Sequence, residues 1–362
     1  MIETTREQGG YEPDLVFPPG ETLREVLEER SMSQAELAAR MKRPKKTISE
    51  IVNGKAAVTG ATALELETVL GVPAAVWSNL QRAYDGFLAR KAQDELFRSQ
   101  AEFLKEIPVA EMVRRGWVPK GADKVSRVRA VFSFFAVSSL DAWREKYEEP
   151  MAAFRAGKKA NIGARAVWYR AAELELEQIA SGCPEYRPTA FKRALVEVRR
   201  LTRLRTEEGY ERAVALCRGA GVLLALVREV PGGGVSGATL WRGKTPGIVL
   251  TLRWKRDDQF WFSFFHEAGH VLLHQGKVFL EVDAGQKTKA EREADEFAAN
   301  SLIPAAELQR LTSRNRWSKA AVEAFAEEIG ICPGIVVGRL QHEGLLPRSH
   351  LNDLKRSLQW TT

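Results

Sequence analysis

Hydrophobic positions recur at helical spacing through most of the chain. Leu23, Val26 and Leu27 mark one short helix, Leu37, Ala38 and Met41 a second, and Ile48, Ile51 and Val52 a third that ends at Asn53-Gly54. Ser33 followed by Glu36 makes a capping box for the second, and Thr62 followed by Glu65 caps a fourth. A fifth begins near Pro73 and carries Val76, Trp77, Leu80, Tyr84 and Phe87. The pattern stays helical and charged from about Lys91 to Leu216, with a buried element at Phe132, Phe134, Phe135, Val137 and Leu140. Helices are expected from Asp141 to Phe154 and from Ala164 to Ile179. At Gly221 the period changes, and 222–227, 238–241 and 247–252 read as strands. Phe262, Phe264, Phe265, Val271, Leu272 and Leu273 then describe a buried helix.

The fold class expected is mainly α with a small antiparallel β-sheet (α+β). The domains expected are a tail over 1–14, a helix-turn-helix bundle over 15–90 and a helical linking region over 91–216. A metal-dependent domain follows over 217–310, with a helical extension over 311–362 closing it. The chain has 362 residues, room for two or three cores. A net charge of +7 and a pI near 9.3 suit an acidic partner but do not by themselves separate one from a solvated surface. The basic run from Arg187 to Arg205 alternates with Glu197, Glu207 and Glu208 around an apolar stripe, which reads as a solvated amphipathic helix before a nucleic-acid contact. Three scattered cysteines, Cys183, Cys217 and Cys332, fit a reducing compartment. With no signal pattern near Met1 and no apolar run of spanning length, the expectation is a cytoplasmic protein with no membrane partner.

Chemistry concentrates in the buried helix. His266-Glu267-x-x-His270 is an HExxH motif, whose imidazoles four residues apart share one helix face and reach one zinc ion. Glu267 stands where a carboxylate takes the proton of a water attacking a peptide carbonyl. The competing reading, structural histidines in a core helix, has to bury several ionisable groups without compensation. A catalytic zinc commonly takes three protein ligands. His274 lies eight residues, about 12 Å of rise, beyond His266 and cannot close the same site. The better third ligand is Glu291, with Asp295 four residues on, hydrogen-bonding a ligand imidazole from outside the coordination sphere. Glu293 and Glu296 are expected to face solvent. No residue that would further stabilise an oxyanion is identifiable, Arg339 and His342 being more readily surface residues.

Two resemblances follow from these residues. Ser33-Gln34-Ala35-Glu36-Leu37-Ala38 and Thr47-Ile48-Ser49-Glu50-Ile51-Val52-Asn53-Gly54-Lys55 resemble the Cro/cI-type helix-turn-helix family. Thr62-Ala63-Leu64 through Trp77-Ser78-Asn79-Leu80-Gln81 and Tyr84-Asp85 resemble, more narrowly, HigA-type antitoxins. The resemblance implies double-stranded operator DNA as a partner, bound as a homodimer. Lys45, Lys46, Thr47 and Glu50 would lie near base edges and Gln34, Arg43 and Lys55 near phosphates. A helical bundle used only for protein contact is the alternative.

The HExxH motif, together with Glu291-x-x-Ala294-Asp295-x-Phe297-Ala298-Ala299 and Leu302-Ile303-Pro304, resembles the ImmA/IrrE family of zinc metallopeptidases. That resemblance implies an endopeptidase with Zn2+ held by His266, His270 and Glu291, whose substrate is a regulatory protein such as a helix-turn-helix repressor. Here a HigA-like module precedes the peptidase in the same chain, so that module is a candidate target, targeting device or independent regulator. The function expected is a DNA-binding transcriptional regulator with zinc endopeptidase activity in a stress, mobile-element or toxin-antitoxin setting. The alternative is an antitoxin-like repressor whose zinc domain senses or scaffolds without proteolysis, and a third possibility, implied by the antitoxin resemblance alone, is partnership with a toxin.

Overall fold

The chain divides into two compact units, Met1–Gln100 and Ala101–Thr362. The structure is a computed structural model, and it describes residues 16–153, 161–282, 288–313 and 317–360. The tail expected over 1–14 lies outside the described residues, as does Phe154. No helix among the described residues is long and apolar enough to cross a membrane.

The first unit runs through α1 (Pro19–Glu29), α2 (Gln34–Arg40), α3 (Lys45–Val52), α4 (Gly60–Leu70) and α5 (Ala74–Ser99). Leu23, Leu37, Ile48, Ile51, Leu66, Leu70 and Trp77 form its core. Gly20 sits against the carbonyl end of α3, where a Cβ would lie 2.1 Å from the Ile51 oxygen, so the start of α1 is seated on the end of α3. Both caps differ from expectation. The Ser33 hydroxyl accepts from Glu36 N at 3.1 Å, but the Glu36 carboxylate accepts from Arg40 at 2.6 Å instead of closing the box. Thr59, not Thr62, caps α4, accepting from Thr62 N at 3.2 Å. That leaves the Glu65 carboxylate to accept both Arg43 hydrogen bonds, at 2.6 and 3.1 Å.

The second unit opens with short helices, α6 (Val109–Arg114), α7 (Lys124–Phe135), α8 (Leu140–Trp143) and α9 (Glu149–Ala153). A π-helical turn, Arg144–Glu148, joins α8 to α9, so the single helix expected from Asp141 is interrupted. Longer helices α10 (Ile162–Ile179), α11 (Pro188–Leu201) and α12 (Thr206–Gly219) lead to the sheet. Its strands are β1 (Leu223–Leu226), β2 (Val235–Arg242), β3 (Thr245–Leu250) and β4 (Phe279–Val282), in the order β1-β3-β2-β4.

This sheet is mixed, which corrects the antiparallel expectation. β1 runs parallel to β3 with Leu224 beside Ile248, whereas β2 pairs antiparallel with β3 and β4. The Leu223-Leu224-Ala225 run is buried throughout, and a run without apolar–polar alternation carries no mark of strand direction. β4 was not expected.

Helix α13 (Asp257–Leu273) crosses the sheet and is followed by α14 (Lys289–Leu302), α15 (Ala305–Thr312), α16 (Lys319–Ile329) and α17 (Pro333–His342). Trp261, Phe264, Phe265, Ala268 and Val271 of α13 meet Ile248, Leu250, Ala298, Leu302, Phe325 and Val336 in one core. The head of α13 is tied down from far along the chain. Asp257 Oδ1 accepts from Arg356 N at 3.0 Å, and Lys355 Nζ lies 2.7 Å from Asp258 Oδ2. Gly334 and Gly338 admit these carboxylates, since a Cβ at either would stand 2.7 or 2.6 Å from an aspartate oxygen.

Candidate metal centre

Residues of α13 four apart lie one turn apart on the same face, so His266 and His270 stack along one side of a buried helix. Gly269 turns toward α14, where a Cβ would come within 3.1 Å of Phe297 and 3.2 Å of Ala294 Cα. That close approach brings Glu291 and Asp295 beside His266. His266, His270 and Glu291 each present one ligand atom, and these atoms lie within 4.8 Å of one another. His266 Nε2 is 3.1 Å from both His270 Nε2 and Glu291 Oε2, and His270 Nε2 is 3.6 Å from Glu291 Oε1. Two bonds of about 2.0–2.1 Å meeting at a tetrahedral angle separate their outer atoms by roughly 3.3 Å. The spacing therefore fits a single small cation.

Asp295 Oδ1 lies 3.0 Å from His266 Nδ1, and a carboxylate only accepts, so Nδ1 carries a proton and Nε2 is the nitrogen turned toward the group. Burial disfavours a charged His266, but Asp295 and Glu291 outweigh it and raise its pKa well above the ordinary value. Burial likewise acts upward on Glu291, where hydrogen bonds from His266 and His270 prevail and hold the carboxyl at about 2. His270 is shifted down by burial.

Glu267, next to His266 on α13, is wholly buried against β2. The Thr239 hydroxyl on β2 donates to its Oε2 at 2.6 Å, and Oε1 has no hydrogen-bond partner among the described residues. Gly237 leaves space for that oxygen, since a Cβ there would lie 2.9 Å from Oε1. Burial, reinforced by the Glu281 and Glu291 carboxylates against the pull of His266, pushes the Glu267 carboxyl up to about 8. Glu281 on β4 is itself shifted upward by burial.

Sequence reasoning missed Thr239, Gly237, Phe279 and Glu281. β4, which carries two of them, is only four residues long, and the one signal for it is the short β-branched and aromatic run Val278-Phe279-Leu280-Glu281-Val282 after Gly276. His274 stands outside the three-residue group, while Glu293, expected in solvent, is half-exposed and meets His274 Nε2 at 2.9 Å. Glu296 is exposed. Arg339 is held by Glu343 at 2.7 Å and His342 is exposed.

In the first unit, Lys45, Lys46 and Lys55 are exposed, and Gln34 at the head of α2 and Thr47 and Glu50 on α3 are part-buried. Glu50 lies 3.7 Å from Lys46 one turn earlier, so the acid on this face is partly neutralised within its own helix. Arg43 is engaged by Glu65.

Residues 225–341 match the IrrE N-terminal-like domain of the M78 peptidase family. Residues 23–77 match a helix-turn-helix domain. The chain belongs to the helix-turn-helix regulators and carries an M78 domain. The chain is 37% identical over 76 residues to YddM, an uncharacterized HTH-type transcriptional regulator of Escherichia coli K12, covering 21% of this chain and 81% of that protein. Similar solved structures include the Pseudomonas aeruginosa antitoxin HigA with the higBA promoter, at 32% identity over 22% of this chain and 89% of that one, TM-score 0.22. An addiction module antidote protein of the HigA family from Coxiella burnetii is 34% identical over 25% of this chain and 94% of that one, TM-score 0.21. The protein is a DNA-binding transcriptional regulator, and its M78 domain, of metallopeptidase type, encloses His266, Glu267, His270 and Glu291.

Proposed function

We propose that this regulator is also a zinc-dependent endopeptidase whose target is a DNA-associated regulatory protein. The observation that carries the reading is the convergence of two imidazole nitrogens and one carboxylate oxygen on one point, with a buried carboxylate on the residue between the ligands. Two histidines and a glutamate are a donor set used by catalytic zinc, leaving a position open. Zinc held there supplies positive charge that polarises a peptide carbonyl and makes a nearby water more acidic.

The protein's own groups do the rest. Asp295 fixes the His266 tautomer, and Thr239 fixes the Glu267 carboxylate. Glu267 takes the proton of the attacking water and delivers it to the departing amide nitrogen. β4 is an outer strand of the sheet beside this group, and an extended peptide pairs with such an edge through backbone hydrogen bonds. In the first unit, Lys45, Lys46, Thr47 and Glu50 approach base edges, and Gln34, Arg43 and Lys55 approach phosphates, in a homodimer spanning two half-sites. Free Cys183, Cys217 and Cys332 suit a reducing, cytoplasmic setting.

The test compares zinc-loaded wild type with Glu267→Gln in two assays, repression of a reporter and cleavage of co-expressed helix-turn-helix repressors or of the chain itself. Cleavage by the wild type alone is expected. Equal behaviour of the two proteins in both assays would overturn the peptidase reading and leave a regulator whose metal domain senses or scaffolds.

A further inference from the structure

His274 closes α13 as its C-cap residue, one turn beyond His270. Its Nδ1 lies 3.1 Å from His270 Nδ1, and its Nε2 lies 2.9 Å from Glu293 Oε2 on α14. Proton positions along this line follow from the end that cannot donate. The Glu293 carboxylate only accepts, so His274 Nε2 carries a hydrogen. A neutral His274 then offers its Nδ1 lone pair, and His270 Nδ1 must donate to it. His270 Nε2 is left with a free lone pair, and that is the atom turned toward His266 and Glu291.

Phe279 covers this line. Its ring is stacked on His270 at 3.8 Å between centroids and 12° between planes, and stands 5.2 Å from His274. The His274 side chain is 10% exposed. Water is thereby kept from competing for the bond between the two rings, and His270 has little freedom to rotate.

We infer that His274 and Glu293 form a positioning relay that sets the tautomer and orientation of His270, as Asp295 does for His266. This rests on the assignment of His266, His270 and Glu291 as metal ligands in the preceding section. On that assignment the two imidazoles are supported differently, one by a carboxylate directly and the other by a carboxylate through a second imidazole. Both carboxylates come from α14, at Glu293 and Asp295, on either side of the buried Ala294. A single helix therefore supplies one ligand and the outer support for both histidines.

The experiment uses the full-length protein stripped of metal. Zinc affinity and stoichiometry are measured by competition with a chelating indicator, and the visible spectrum is recorded with Co2+ in place of Zn2+. His266→Ala is the control for the site itself. His274→Ala is expected to keep a 1:1 stoichiometry but to bind zinc about 10–100-fold more weakly, the usual range for losing a partner of a ligand histidine, with an altered Co2+ spectrum. His274→Asn, whose amide oxygen can accept in place of Nδ1, is expected to recover affinity to within a few-fold. Glu293→Ala should weaken binding in the same direction, and adding it to His274→Ala should change nothing more, because the two act in series.

Wild-type affinity in both His274→Ala and Glu293→Ala overturns the relay. So does loss of stoichiometric binding in His274→Ala to the level of His266→Ala, which makes His274 a ligand. Wild-type binding by His266→Ala overturns the underlying site instead, so the two failures are distinguishable. If His274→Ala does not fold, as judged by the melting of the metal-free protein, Glu293→Ala and His274→Asn decide the matter, since Glu293 is half-exposed and the asparagine keeps a polar side chain.

Discussion

The Thr239 hydroxyl donates to Glu267 Oε2 across 2.6 Å, from a strand of the sheet to the helix that carries the HExxH motif. One carboxylate oxygen is thus spoken for by the scaffold, and the other has no hydrogen-bond partner among the described residues. Replacing Thr239 with Val keeps the shape and removes the donor. Peptidase turnover should fall roughly tenfold to a hundredfold, matching about 1.5–3 kcal/mol for a hydrogen bond to a charged group, with zinc affinity little changed. Thr239→Ser should restore most of the turnover, and full activity in the valine variant would mean that Glu267 is oriented by its helix alone.

The contact between α13 and α14 at Gly269 sets how near Glu291 comes to the two imidazoles. Gly269→Val introduces a branched side chain where even one carbon is 3.1 Å from Phe297. Such overpacking costs about 1–3 kcal/mol of stability. Zinc affinity should fall with it, and a variant that is less stable by urea titration yet binds zinc as before would place the third ligand elsewhere.

Arg43 and the lysines of α3 separate in their consequences for DNA. Arg43 is engaged by Glu65 and braces α4 against the turn, whereas Lys45 and Lys46 are exposed. Lys45→Ala and Lys46→Ala should each lower operator affinity and, where they contact phosphate, reduce the salt slope by about one. Arg43→Ala should lower the melting temperature of the first unit as well as its affinity. Gel shifts over a salt series, with thermal melts alongside, read both effects.

Metal binding should release protons. Burial acts against a charged His266, but Asp295 and Glu291 outweigh it and shift the group upward, which favours its doubly protonated form in the metal-free protein. A ligand imidazole must give up the hydrogen on its ligating nitrogen. The folded-state value is raised, so the proton is bound at lower pH and lost as pH rises through it, and zinc affinity should climb over that same window. Glu267, at about 8, adds to the release once a cation is near. Calorimetry at pH 7 in buffers of different ionisation enthalpy should show net proton release, and none would contradict the upward shift of His266.

Lys355 and Asp258 form a buried ion pair, with side chains 10% and 3% exposed. Removing one partner of such a pair costs about 3–5 kcal/mol, because a buried charge is left alone. Lys355→Ala should shift the urea midpoint of the second unit accordingly, and Asp258→Asn together with Lys355→Met should recover a large part of the loss.

The site was largely legible in the sequence because helical periodicity does the geometric work. His266 and His270 at four-residue spacing, and Glu291 and Asp295 at the same spacing on the next helix, share faces by construction. What the strands contribute was not legible. Thr239 and Gly237 read as ordinary strand residues, and their value comes only from lying opposite Glu267. Direction within the sheet was misread because β1 is buried on both faces. The Thr62 cap was misplaced because Thr59, three residues earlier, meets the same requirement, which freed Glu65 for Arg43. Helical rise separates His274 from His266, yet the partnership of His274 with His270 and Glu293 needs the position of α14.

The binding of α13's first turn by residues near Lys355 also sets an order of assembly. Asp257 N donates to the Arg356 carbonyl, Leu358 N donates to that of Lys255, and the Arg356 guanidinium reaches the carbonyls of Arg203 and Leu204. During synthesis those partners emerge from the ribosome about a hundred residues after the helix they secure, while the helix-turn-helix unit has its whole core early in the chain. A nascent chain can therefore complete its DNA-reading unit well before the helix carrying His266 and His270 is tied down.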